Sequence, residues 1–349
     1  MKSKTMAKRL LLIQALLGCV ALSCVPSYES REDNASSVDT CSILIDRLWS
    51  ENLPTLHAVE AWESDYGPGL KLTTAHYEIF TTFLEPLMLR RIPGFMESAY
   101  RAYNDQLPRP IEASGKSTVY LFANRRQWED FTKTFAGDKA ELFCKIRAGA
   151  YYLNGACVTY NIGTKRTLSA LGHEGWHQFN TRHFAYRLPS WLDEGVAMLF
   201  ETSTYKDGIY HFRPSDNSYR LDALRKTLAT NQQMPLQELI AINPGEVLAT
   251  DQAEPVKAFY SQSYALVRFL RETDLGKYAA SYQRMLWDGL RGNWPLSQTD
   301  KTIAQDRNVP RTVRWNRAVG PELFKHYISG DIDYIEKEYL AFCRQIVRQ

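Results

Sequence analysis

The chain has 349 residues, 44% of them hydrophobic, and a net charge of +3 at pH 7. Lys2, Lys4, Lys8 and Arg9 supply four positive charges at the very start, so the remaining body is close to neutral. A body without a basic excess excludes nucleic acid as the expected partner, and its apolar content is ample for a core.

Behind the basic start, Leu10 to Leu17 form an apolar run too short to span a bilayer, which reads as an export signal over residues 1–18. Leu16-Leu17-Gly18-Cys19 resembles a bacterial lipobox and Ala21-Leu22-Ser23-Cys24 is a second candidate, so the mature end is expected at Cys19 or Cys24, lipid-modified. An ordinary secretory peptide is the alternative. Either way the expected location is the periplasm or cell envelope, with residues 19–41 as a polar, flexible tether. Four cysteines then remain, and an even number in an exported chain suggests two disulfides. Of three connectivities, Cys144–Cys157 across a hairpin and Cys41–Cys343 tying the ends are favoured.

Residues 42–204 show a mixed α/β pattern. His76 to Thr81 alternates like a strand, Leu84 to Leu107 reads as a helix broken near Pro93, and Ser117 to Phe122 is a β-rich run. Arg126 to Phe135 reads as a helix. Residues 148–152 and 156–160 then pair as strands around Asn154-Gly155, a strong hairpin signal, and an edge strand there suits an extended peptide. From 205 to 349 the pattern is helical after a small hairpin at Lys206-Asp207-Gly208-Ile209, with helices expected at 219–229, 235–241, 256–273, 276–289, 311–327 and 331–346. The expected class is α+β in two subdomains, with the functional site in the cleft between them.

The chemistry concentrates at His173-Glu174-Gly175-Trp176-His177, an HExxH pattern. On a helix, residues four apart project from one face one turn apart, which lets two imidazoles share one metal ion. A catalytic zinc takes three protein ligands and keeps one position open. Glu194, in Trp191-Leu192-Asp193-Glu194-Gly195, is the natural third ligand if the 188–200 segment is a helix, with Pro189 and Ser190 at its start and Asn180, Thr181 and Arg182 interrupting the helix before it. Glu174, beside the first ligand, is placed to act as the base.

These motifs resemble the gluzincin metallopeptidases, which join HExxH to a glutamate on the following helix, often within Trp-Leu-x-Glu-Gly-x-Ala as at residues 191–197. The resemblance extends roughly over residues 70–345 and is closest to bacterial secreted or lipoprotein proteins of that kind. It implies a zincin-like catalytic domain, a Zn2+ cofactor, a peptide or protein substrate, and an oxyanion-stabilising role for Tyr260, with Tyr264 as the reserve. Aminopeptidases of this group also carry an acidic anchor for the substrate amine upstream of HExxH. No acidic residue lies between Glu141 and Glu174 here, which favours an endopeptidase. The rival expectation is a catalytically silent scaffold that retains the fold.

Overall fold

The computed structural model describes residues 37–146, 149–243, 246, 253–305 and 313–348. The expected leader, both lipobox cysteines and most of the tether lie outside these residues. Helix α1 (Ser37–Ser50) already begins within the stretch expected as tether, and it buries Leu44 and Leu48, one turn apart, against the core.

Three short strands, β1 (Ala58–Trp62), β2 (Gly69–Thr73) and β3 (Tyr77–Thr81), form an antiparallel meander. Helix α2 (Pro86–Asn104) then crosses over to β4 (Ser117–Phe122), parallel to β3. Sequence predicts a break in α2 at Pro93, yet the helix is continuous. Proline removes one intrahelical hydrogen bond, costing about 3 kcal/mol, but Met88, Leu89, Ile92, Phe95, Met96 and Ala99 are all buried around it and outweigh that loss.

Helices α3 (Arg125–Phe135) and α4 (Ala140–Phe143) lead to β5 (Ala150–Leu153) and β6 (Ala156–Tyr160). The last two pair through Asn154 and Gly155, whose φ values of 49° and 85° are those the Asn-Gly turn is built to adopt. The six strands run in the order β1-β2-β3-β4-β6-β5, so β5 is an edge strand.

Alternation along the strands sends side chains to two cores. Val119, Leu121 and Cys157 join the large cluster on one face, while Phe122, Val158 and Tyr151 join Trp128, Phe131 and Phe143 on the other, beneath α3 and α4. The long helix α5 (Thr164–His183) packs on the first face against β5 and β6, and α6 (Ser190–Ala197) follows it. A second hairpin, β7 (Ser203–Lys206) and β8 (Ile209–Phe212), turns at Asp207 and Gly208.

The rest is helical: α7 (Ser218–Ala229), α8 (Leu236–Leu239), α9 (Ala253–Glu272), α10 (Ala279–Arg291), α11 (Gln298–Gln305), α12 (Val313–Tyr327) and α13 (Ile332–Ile346). The protein is thus α+β. One apolar cluster runs from Leu44 to Ile346 and joins the sheet to these helices. Among the described residues, no helix is long and apolar enough to cross a membrane.

The disulfides expected from the cysteine count are corrected by the structure: Cys41, Cys144, Cys157 and Cys343 are all free. Cys157 points into the large core on the α5 face of the sheet, whereas Cys144 lies beyond the opposite face, its carbonyl accepting from Arg125 of α3 at 2.8 Å. The sheet itself separates that pair. Cys41 sits over β2, facing the Gly69 carbonyl, while Cys343 belongs to α13, which packs on α7, α8 and α9. Denatured protein alkylated without reductant is therefore expected to gain a label on each of these four cysteines, counted by intact mass and peptide mapping. A missing pair of labels would mean a bridge.

Candidate metal centre

Two side chains hold α5 to the sheet and to α2. Gln178 donates through Nε2 to the carbonyls of Thr118 and Gly155, both at 2.8 Å, and the Tyr103 hydroxyl donates to the Gly172 carbonyl at 2.7 Å. The helix runs unbroken through Asn180, Thr181 and Arg182, where sequence predicts an interruption. Asn180 is instead used across the helix pair, donating to Asp193 at 2.6 Å. The reversal that follows is pinned by the backbone N–H groups of Ala185 and Tyr186, which reach the carbonyls of Leu290 and Gly289. Helix α6 then starts where the Ser190 N–H meets the Asn316 side chain of α12 at 2.8 Å. The expected helix over 188–200 is observed as α6 followed by one tight turn, Met198–Phe200.

This reversal brings His173, His177 and Glu194 together. Their Nε2 atoms are 3.3 Å apart, and Glu194 Oε2 lies 3.4 Å from His173 Nε2 and 3.7 Å from His177 Nε2. Ligands about 2.0 to 2.1 Å from a tetrahedral ion are separated by roughly 3.3 Å, so the spacing fits one small cation. The donors are also right: each Nδ1 is occupied elsewhere, leaving each Nε2 lone pair to point inward. His173 Nδ1 donates to Glu201 and His177 Nδ1 to Asp193, both at 3.0 Å. Such carboxylates fix the tautomer and orient the ring. The buried group is able to hold a metal ion.

Sequence reasoning missed this outer ring. Asp193 was visible beside Glu194 in the same motif but had no assigned role. Glu201 follows Glu194 by seven residues, two helical turns, yet the partner that holds it comes from a later helix. Arg220 of α7 reaches Glu201 with Nε at 2.9 Å and Nη2 at 2.5 Å, and Asn217 adds a bond at 2.8 Å.

Burial and charge set opposite fates for the acids. Burial works to raise Glu194, but the two imidazoles beside it prevail and hold it at about 2. Glu201 is likewise held at about 2, Arg220 and His173 overcoming its burial. Glu174 is different: burial dominates over the attraction of His177 and His173 and pushes it up to about 7. Burial opposes charging of His173, yet Glu194 and Glu201 raise it to about 9. A metal ion must displace that proton, so binding strengthens as pH rises.

Tyr260 lies on α9 with 3% exposure, its hydroxyl without a hydrogen-bond partner among the described residues. Burial pushes its phenol well above the usual range, and the charges of Glu194 and Glu174 add to the effect. Tyr264 is committed elsewhere: its hydroxyl donates to the Pro214 carbonyl and accepts from Arg268 at 3.1 Å. No protein-family model matches the chain, and no curated protein matches it.

The α6–α9 contact depends on a missing side chain. A Cβ at Gly195 would stand 2.6 Å from the Ser263 carbonyl oxygen and 2.5 Å from Val267. Gly195→Ala would gain about 1 kcal/mol of helix propensity. It has to displace backbone, however, and overpacking costs about 1–3 kcal/mol. A net loss of stability in urea melts is expected, together with weaker metal binding because Glu194 precedes this contact. For the outer ring, Glu201→Gln and Asp193→Asn are each expected to weaken divalent-metal affinity by about 10- to 100-fold in chelator competition. His173→Ala should abolish stoichiometric binding, and unchanged affinity in all three would exclude this centre.

Proposed function

We propose that the protein is a zinc-dependent peptidase of the gluzincin type, acting within peptide chains. The observation that carries this reading is the convergence of two Nε2 atoms and one carboxylate oxygen at tetrahedral spacing, with a second acid, Glu174, beside them and outside the donor triangle. Two imidazoles and one carboxylate suit zinc as a three-ligand set and leave one position open.

Bound there, zinc supplies Lewis acidity, polarising a carbonyl and making water acidic near neutral pH. Glu174, buried beside the donor triangle, accepts a proton from the attacking water and returns it to the leaving amide nitrogen. His173 and His177 keep their geometry because Glu201 and Asp193 hold their outer nitrogens. Tyr260 offers an uncommitted buried O–H for the oxygen that gains negative charge.

The edge strand β5 supplies main-chain groups for an extended substrate, and its residues Ala150, Tyr151, Tyr152 and Leu153 include no carboxylate to anchor a free amine. This supports internal cleavage over removal of terminal residues. A silent scaffold has no use for a buried, unpaired-charge acid such as Glu174, whose desolvation is costly. The leader read from the sequence gives such an enzyme a place in the cell envelope.

The test is Glu174→Gln in zinc-loaded protein challenged with a broad peptide library. Metal content is expected to stay at wild-type level while cleavage falls at least 100-fold. Tyr260→Phe is expected to lower kcat by about 100-fold with metal retained. Full turnover by the glutamine variant would remove Glu174 as the base, and no cleavage by wild-type zinc protein would sink the peptidase reading.

A further inference from the structure

A cavity of about 620 Å³ opens beside the metal centre and shares Glu201 and Arg220 with it. Its charges are unequal. Glu201 is already held by Arg220, Asn217 and His173, and Asp216 by Arg213 at 2.9 Å. Arg91, Lys165 and Arg166 also line the cavity, and none of them has a carboxylate partner among the described residues. Arg166 buries Nη2 without a hydrogen bond, and the Tyr210 hydroxyl, on a residue 6% exposed, is also unpartnered. Buried donors in this state carry a desolvation cost that a ligand oxygen would relieve. Two exposed rings, Tyr205 and Tyr219, complete the wall, with Arg91 over Tyr205 at 5.6 Å.

The cavity adjoins the outer ring of the metal site through Glu201 and Arg220, and helix α5 runs from its wall to the histidines. Arg166, Ser169, His173 and His177 recur at three- and four-residue intervals along α5, so they share one face. From Arg166 to His173 the helix rises about 10 Å, which an extended peptide covers in about three residues.

We propose that this cavity is a carboxylate-recognising subsite, in which Arg166, Lys165 and Arg91 bind an acidic group of the peptide two or three residues from the cleaved bond. The ligand's identity as a peptide rests on the function proposed above. The carboxylate has two sources: an acidic side chain, or the free C-terminus of a short peptide. Charge-assisted bonds to guanidinium are about twice as strong as neutral ones, which makes the carboxylate distinguishable from its amide.

The experiment uses zinc-loaded Glu174→Gln protein, immobilised, and random peptide pools that differ only in one fixed Glu or Gln. Each pool is made with a free or an amidated C-terminus, and retained peptides are counted by mass spectrometry. At least tenfold enrichment of Glu over Gln, or of free over amidated ends, is expected, and which contrast responds identifies the source. Lys165→Glu combined with Arg166→Gln should erase the enrichment, and Arg91→Gln provides a second variant should that one fail to fold by circular dichroism. Equal retention of all four pools would overturn the proposal. Cleavage by the wild-type protein is scored separately, so an acid-selective protein that cuts nothing would count against the peptidase reading alone, and a peptidase without acid selectivity would count against the subsite alone.

Discussion

Three electron pairs aimed at one point are the constraint on which the structure turns. His173 and His177 offer Nε2 atoms 3.3 Å apart, and Glu194 closes the triangle from another helix. Without a positive charge between them these atoms repel, so their approach must be enforced by everything around them. The sheet holds α5 through Gln178, α10 holds the reversal, and α9 presses on α6 through Gly195. Fold and site are therefore one problem: helices far along the chain fix the angle between two ligands and a third.

The pair of histidines in the candidate metal group was legible because its pattern is local. The histidines are four positions apart, and helix geometry turns that number into a shared face whatever the rest of the chain does. The turns at Asn154-Gly155 and Asp207-Gly208 were legible for the same reason, since their backbone angles are a property of two residues. What could not be read is what depends on distant partners. Strands β1 and β2 are five residues each and owe their order to pairing, β1 with β2 and β2 with β3, and α1 owes its place to packing. Glu201 looks like any acid until Arg220 arrives from α7. The cysteines mislead because an even count says nothing about which face of a sheet each one occupies. Cys144 and Cys157 are close in sequence, yet the sheet lies between them.

Proline and asparagine show the same competition inside single helices. Pro93 and Asn180 both signal an ending, and both helices continue. In α2 the apolar contacts on each side of Pro93 are worth more than one backbone bond. In α5 the Asn180 side chain finds Asp193 rather than its own backbone, which removes the local alternative that makes asparagine a helix stop. Local preference decides only where packing is indifferent.

The charges around the centre carry this reasoning to its chemical end. Glu194 and Glu201 are enclosed acids held ionised by their neighbours, Asp193 accepts from His177, and the Arg220 guanidinium is set against Glu201. A divalent ion offsets this concentration of negative charge, as protons on the two histidines do in its place. Glu174 stands outside this balance. It faces the same imidazoles but forms no ion pair with them among the described residues, and burial pushes its carboxyl up to about 7 before a cation is bound. A structural ion site would gain nothing from such a group, because its ionised form is costly and its neutral form binds no cation. The neighbouring acids commit their carboxylates to imidazoles and a guanidinium, which leaves Glu174 as the acid of the cluster free to exchange a proton, the property the proposed base requires.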